Sequence, residues 1–425
     1  MKKITISIFF LLLIATGYIF PQNINGRVSS SVYSFERYDT VNVHHYYMRF
    51  FEQIGLNYNQ KNFSFRTNID YESEAASNLT TPYYIRFYNL YIEQRDLFNV
   101  ATVRLGRQPI FNSIGGGVYD GANVDLKFTD FKFSGYYGGN TPDYQTLKFK
   151  NDWHDNFITG GKITLTSVEN FQASLSYVNK NFKPDDYYAN RLDANLNPIQ
   201  QLIQHNSEQF NYGSAELSYT MKNLLDINAS YDYDFNFSTT SRFEVNAVYS
   251  HMEDYKLDFY YNYRQPRITY NSIFSVFNYG NTQEMEIGGD YILNKHITIT
   301  GRVADVIYND ANSQRITIGL NTTLGTFSYL KNLGYSGEMD ALSFYASHSF
   351  MSGFLTPSLG VSYTAYKLEP NDPTNNLTSL LAGVNIRPYR MLSFDLQTQY
   401  MDNKIYRNDF RIFLKLNYWF NKNFM

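Results

Sequence analysis

The chain has 425 residues, a formal net charge of −3 and no cysteine, which removes disulfide frameworks, thiolate metal sites and a lipid-modified amino-terminal cysteine. Tyr and Phe number 40 and 34 against 2 Trp; a soluble core favours Leu, Ile and Val, whereas rings at this density suit the surface and interfacial girdles of a membrane barrel. The near-balanced charge leaves no basic footprint for nucleic acid.

Met1-Lys2-Lys3 followed by an apolar run from Ile4 to Phe20 reads as a secretory leader. Cleavage falls near Gly17, or as late as residue 22, and residues 18–425 form one domain. No second apolar run is long enough to span a bilayer as a helix.

From there the pattern has a period of two. The first strand is expected over about 25–38 and the second over 43–58. Later ones fall near 63–72, 84–95, 98–108, 118–128, 131–138, 157–166, 171–180, 208–221, 224–235, 241–250, 255–264, 283–293, 296–308, 314–324, 327–335, 338–349, 354–366, 378–388, 391–402 and 409–420. In the last, Phe410, Ile412, Leu414, Leu416, Tyr418 and Phe420 share one face, while Asp409, Arg411, Lys415 and Asn417 share the other. Short turns such as Asn59-Gln60-Lys61-Asn62 join the pairs. In hydrocarbon every unpaired backbone group is costly, so strands with one apolar face span a bilayer only when the sheet closes. The expected fold is all-β: a transmembrane, antiparallel, up-and-down barrel of about 22 strands, or 18–20 if weak pairs drop out. Its place is the bacterial outer membrane, against lipid, as a monomer or homotrimer.

The segment 327–335 is the weakest strand, yet loop parity requires it. With it, the long connections at 73–83, 139–156, 181–207, 265–282 and 367–377 all lie outside, and the tight ones lie in the periplasm.

Charges on alternating strands should face the lumen, because a Lys or Arg at mid-membrane costs about 2–4 kcal/mol. Alternation places Arg49, Arg66, Arg104 and Lys132 on a basic wall and Asp232, Asp234, Glu244 and Asp258 on an acidic one. The alternative is that such charges pair across strands and plug the lumen. Two stretches resemble each other: Arg107-Gln108-Pro109 with Asn112-Ser113-Ile114, and Arg264-Gln265-Pro266 with Asn271-Ser272-Ile273. Either this is coincidence or both loops fold inward as a constriction. Arg107 is assigned to the pore, with Asp120 facing it across the hairpin as a rim ion pair.

Val103-Arg104-Leu105-Gly106-Arg107-Gln108, with Asp120-Gly121 after the loop, resembles the strand-loop-strand of alginate-export-type porins over about twenty residues. The resemblance implies passage of an anionic or polyhydroxylated solute past Arg104 and Arg107. The carboxy-terminal strand, ending Tyr418-Trp419-Phe420, resembles the assembly signal of outer-membrane barrels, although Met425 stands at the chain end.

No histidine shows a metal-ligand spacing, and no cofactor or catalytic residue is expected. The function expected is a porin-like channel for passive diffusion of small polar or charged solutes. The alternative is a non-conducting barrel that anchors surface polysaccharide or secretion machinery.

Overall fold

The computed structural model describes residues 22–40, 43–75, 83–111, 114–141, 148–149, 152–183, 186–192, 197–203, 209–252, 254–277, 279–308, 311–334, 338–367, 369, 371–404 and 408–424. The leader, Asn112 and Ser113 lie outside them. Strands β1 (Gln22–Thr40), β2 (Val43–Gln60), β3 (Phe63–Glu74), β4 (Tyr83–Leu97), β5 (Ala101–Phe111), β6 (Gly116–Lys127), β7 (Phe131–Asn140), β8 (Phe157–Leu165) and β9 (Phe171–Lys180) follow one another as antiparallel neighbours. A small hairpin, β10 (Tyr187–Leu192) and β11 (Pro198–Ile203), stands apart within the connection that follows, which alternation along the wall strands does not mark.

The wall resumes with β12 (Phe210–Met221) against β9, then β13 (Leu225–Asp234), β14 (Thr239–Met252), β15 (Tyr255–Arg264), β16 (Thr282–Asn294), β17 (Ile297–Tyr308) and β18 (Ala311–Thr322). It ends with β19 (Gly325–Gly334), β20 (Met339–Ser347), β21 (Leu355–Tyr366), β22 (Asn375–Tyr389), β23 (Leu392–Asp402) and β24 (Asp409–Phe424). β24 pairs with β1 from Gln22↔Phe424 to Ser34↔Ile412, so the 22-stranded sheet closes and no edge remains. The weak segment is present as β19, flanked by β18 and β20, and the parity expected from loop lengths holds.

Register fixes the faces. Leu414, Leu416 and Tyr418 of β24 lie opposite Val32, Ser30 and Val28, and Val28 lies opposite Ile54. This face carries exposed Leu, Ile, Phe and Tyr around the barrel, among them Leu175, Leu217, Leu257, Ile287, Val303 and Leu359. The opposite face carries most of the strand charges, among them Arg49, Arg66, Arg104, Arg302 and Arg315. An apolar exterior on a closed sheet is a membrane surface, and a bacterial barrel of this size resides in the outer membrane. The tight turns use left-handed residues, as at Lys61 (φ 49°) in the expected 59–62 turn and at Asn170 (φ 62°).

Candidate functional site: the lumen and its outer mouth

The luminal faces of β2 to β6 carry a chain of ion pairs. Arg49 lies 3.0 Å from Glu74 and 3.6 Å from Glu72, and Arg66 lies 3.6 Å from Glu93. Arg104 donates to Glu93 at 2.7 Å, to Asp125 at 2.6 Å and to Asn123 at 2.9 Å. Lys132, opposite Lys127 in the register, borders a recess of about 410 Å³ with Asp125 and Lys162.

The carboxylates of β13 to β16 are answered in the same way. Asp232 is fully buried and accepts from Arg242 at 2.8 Å, Arg267 at 3.0 Å and Ser214 at 2.7 Å. Glu244 lies 3.6 Å from Arg242. Asp258 accepts from Arg302 at 3.1 Å, and Arg315 bonds both Glu284 and Glu286. Asp234 instead braces the backbone. Its carboxylate accepts the N–H groups of Asn236 and Phe237 at 2.9 and 3.1 Å and so holds the turn into β14. Arg242 was overlooked from sequence, although alternation with Glu244 puts it inward. Arg267 carried no such signal, because it sits in a loop.

Arg107 corrects the expectation. It shares a face with Val103 and Leu105, and its register neighbours across the ladders are Leu90 and Asp120. Its side chain therefore leaves the barrel on the outside, not into the pore. The paired Asp120 is as expected: Nε and Nη2 of Arg107 donate to its two oxygens at 2.7 and 2.8 Å. Both residues are buried, at 1% and 2% exposure, because the connection after β7 lies over them. Nη2 donates to the Lys148 carbonyl at 3.1 Å, and Phe149 places its ring 5.5 Å from the guanidinium carbon. Trp153 of the same connection packs edge-on against outward-facing Tyr137, with centroids 5.4 Å apart. Gly106, between the two arginines, has φ +127°, and a Cβ there would lie 2.3 Å from the Leu90 carbonyl oxygen. Only glycine fits between Arg104 facing in and Arg107 facing out.

At the extracellular end the lumen narrows on an apolar cluster. Ile110, Tyr119, Ile158, Val178 and Tyr212 point inward from β5, β6, β8, β9 and β12. Ile114, from the loop between β5 and β6, packs among them at 2% exposure, so this loop turns inward. The connection after β15 turns inward as well: Arg267 reaches luminal Asp232 and lies over the Tyr212 ring at 5.7 Å. Tyr212 is thus where the two loops meet. Beneath this cluster, Arg66, Tyr91, Glu93, Arg104, Asn123 and Tyr136 line a luminal recess of about 440 Å³. Among the described residues no group of three or more His, Asp or Glu side chains is placed to hold a metal ion.

No protein-family profile matches this chain, and no curated protein does, so the resemblance to alginate-export-type porins gains no support. Among solved structures the chain is similar to the translocation pore of the P pilus usher PapC, at 9% identity and a TM-score of 0.47 over 93% of this chain and 99% of that one. It is similar to OccAB4 of Acinetobacter baumannii at 9% identity and a TM-score of 0.46, over 96% and 99% of the two chains. OccK7 of Pseudomonas aeruginosa stands at 9% identity and a TM-score of 0.45, over 95% and 99%.

Proposed function

We propose that this protein is an outer-membrane channel for passive diffusion of small polar or charged solutes, selected at the extracellular mouth. The observation that carries this reading is that luminal arginines stay partly open to the barrel interior. The side chains of Arg49, Arg66, Arg104, Arg302 and Arg315 retain 30–39% of their surface. A lumen plugged by its own ion pairs would bury them, whereas a 22-stranded wall leaves an aqueous space that side chains do not fill.

Charge then acts through local excess. On the flank of β2 to β9 the luminal cations Arg49, Arg66, Arg86, Arg104, Lys127, Lys132 and Lys162 outnumber Asp70, Glu72, Glu74, Glu93 and Asp125, while Asp232, Asp234, Glu244 and Asp258 dominate that of β13 to β16. Screening over about 8 Å at physiological salt confines the transverse field to the narrow zone below the two inward loops. An anionic or polyhydroxylated solute would meet Arg66 and Arg104 there, with Tyr91 and Tyr136 offering ring faces.

The test is single-channel recording of the purified protein in planar bilayers under a salt gradient. Stable conductance steps are expected, with a reversal potential that reports which flank prevails. Correctly folded protein that stays silent would rule out the channel, and a non-conducting anchor for surface machinery would take its place.

A further inference from the structure

Glu52 is an ionisable side chain on the lipid-facing side of the wall. It shares the outer face of β2 with Phe50, Ile54 and Leu56, and it stands in a row across four strands: Leu416, Ser30, Glu52 and Tyr71. The row above is Leu414, Val32, Phe50 and Ser73, and the row below is Tyr418, Val28, Ile54 and Ile69. Glu52 lies six residues from the girdle residue Tyr58 along the strand. At ~3.3 Å per residue and a tilt near 40° that is roughly 15 Å into a band about 25 Å tall. Within the barrel it is held by the Ser30 hydroxyl, which donates to Oε1 at 2.5 Å. A carboxyl at this depth is a functional feature by default, and its second oxygen requires a partner that hydrocarbon does not supply.

We propose that a second copy of this chain is that partner, and that the face built from β24, β1 and β2 is a two-fold dimer interface centred on Ser30 and Glu52. Ser30 and Glu52 are direct cross-strand partners, so a two-fold axis along the membrane normal between them sets each Glu52 against the other subunit's Ser30. Each Ser30 donates to its own Glu52, and each Glu52 side chain comes within reach of the opposite Ser30, so the four polar groups meet one another in the seam rather than lipid. The outer face of β1 is also low, with Gly26, Val28, Ser30, Val32 and Ser34 along it, so two tilted walls can meet closely where they cross. A lone lipid contact has no such reciprocity.

The chain has no cysteine, so Val28→Cys introduces a single thiol one row from the axis. Oxidation in native outer membranes is expected to give a disulfide-linked dimer, while Leu359→Cys on the outer face of β21 stays monomeric. Adding Glu52→Leu to Val28→Cys is expected to cut the dimer fraction at least about tenfold, the scale of one lost hydrogen-bond pair. Glu52→Gln, whose amide both donates and accepts, is expected to keep it. Heat-modifiable migration checks that each variant is folded. Cross-linking of Val28→Cys no greater than that of Leu359→Cys would overturn the interface, and a dimer indifferent to Glu52→Leu would remove the carboxyl from it.

Discussion

Arg104 and Arg107 share strand β5, and the barrel wall stands between them. Arg104 faces the lumen, where two carboxylates and an amide hold it at 30% side-chain exposure; Arg107 faces outward and is sealed at 1% by Asp120, the Lys148 carbonyl and Phe149. The same guanidinium group thus serves two different ends. A partly hydrated pair contributes roughly 0–1 kcal/mol and can be exchanged for another charge, while an enclosed pair cannot lose one partner without leaving the other charge stranded.

The contrast is tested hardest by Arg107→Ala or Asp120→Ala. Each is expected to destabilise the folded barrel by about 3–5 kcal/mol, read from urea unfolding in lipid vesicles. Replacing both, Arg107→Met with Asp120→Leu, is expected to restore most of that loss, because two apolar groups then fill the space beneath Phe149 and Trp153. A double variant as unstable as the singles would show that the pair does more than neutralise itself.

Arg104→Glu should do the reverse: a loss of no more than about 1–2 kcal/mol, but a reversal potential displaced towards cations in a salt gradient. An unchanged ion preference would take Arg104 out of the selective zone. Next in size is Arg267→Ala, which unties the connection after β15 from Asp232 and Tyr212. The expected result is larger or noisier conductance with an unchanged unfolding midpoint, and a quiet channel of the same size would mean that this loop does not narrow the path.

A subtler response is expected at the end of the connection that covers Arg107. There the hydrogen bond from His154, helped by nearby Lys183, holds the Asp155 carboxyl below its ordinary range. A lowered carboxyl favours the folded loop above the usual carboxylate range, and this contribution is lost as pH falls through the lowered value. Protection of the Asn156 and Asn181 amides, relative to their intrinsic exchange rates, should therefore fall only in acid, and Asp155→Asn should flatten that dependence.

How much was legible before folding follows the same division. A period of two is a property of neighbouring residues, since successive side chains leave a strand on opposite sides. Strand number, the weak β19 and which residues of a strand share a face could therefore be read from the chain alone. Arg107 was misassigned because its sequence resemblance outweighed that same parity, which places residues 104 and 107 on opposite faces. The luminal partners were illegible for another reason: Arg242 with Asp232, or Arg315 with Glu284, depends on register between strands, which alternation does not supply.

The connections belong wholly to the folded molecule. Ile114 and Arg267 turn into the mouth while Phe149 and Trp153 turn out over the wall, and no periodicity marks either path. A loop takes its direction from the surface it can cover. Ile114 found the inward rings of Tyr119 and Tyr212, and Phe149 found the outward guanidinium of Arg107. Both surfaces exist only after strands far apart in the chain have closed into a barrel. Alternation along each strand was enough to specify a wall with one face for lipid and one for water, because it is a local property; which charges meet and which loops guard the opening had to await closure, because both depend on residues that only closure brings together.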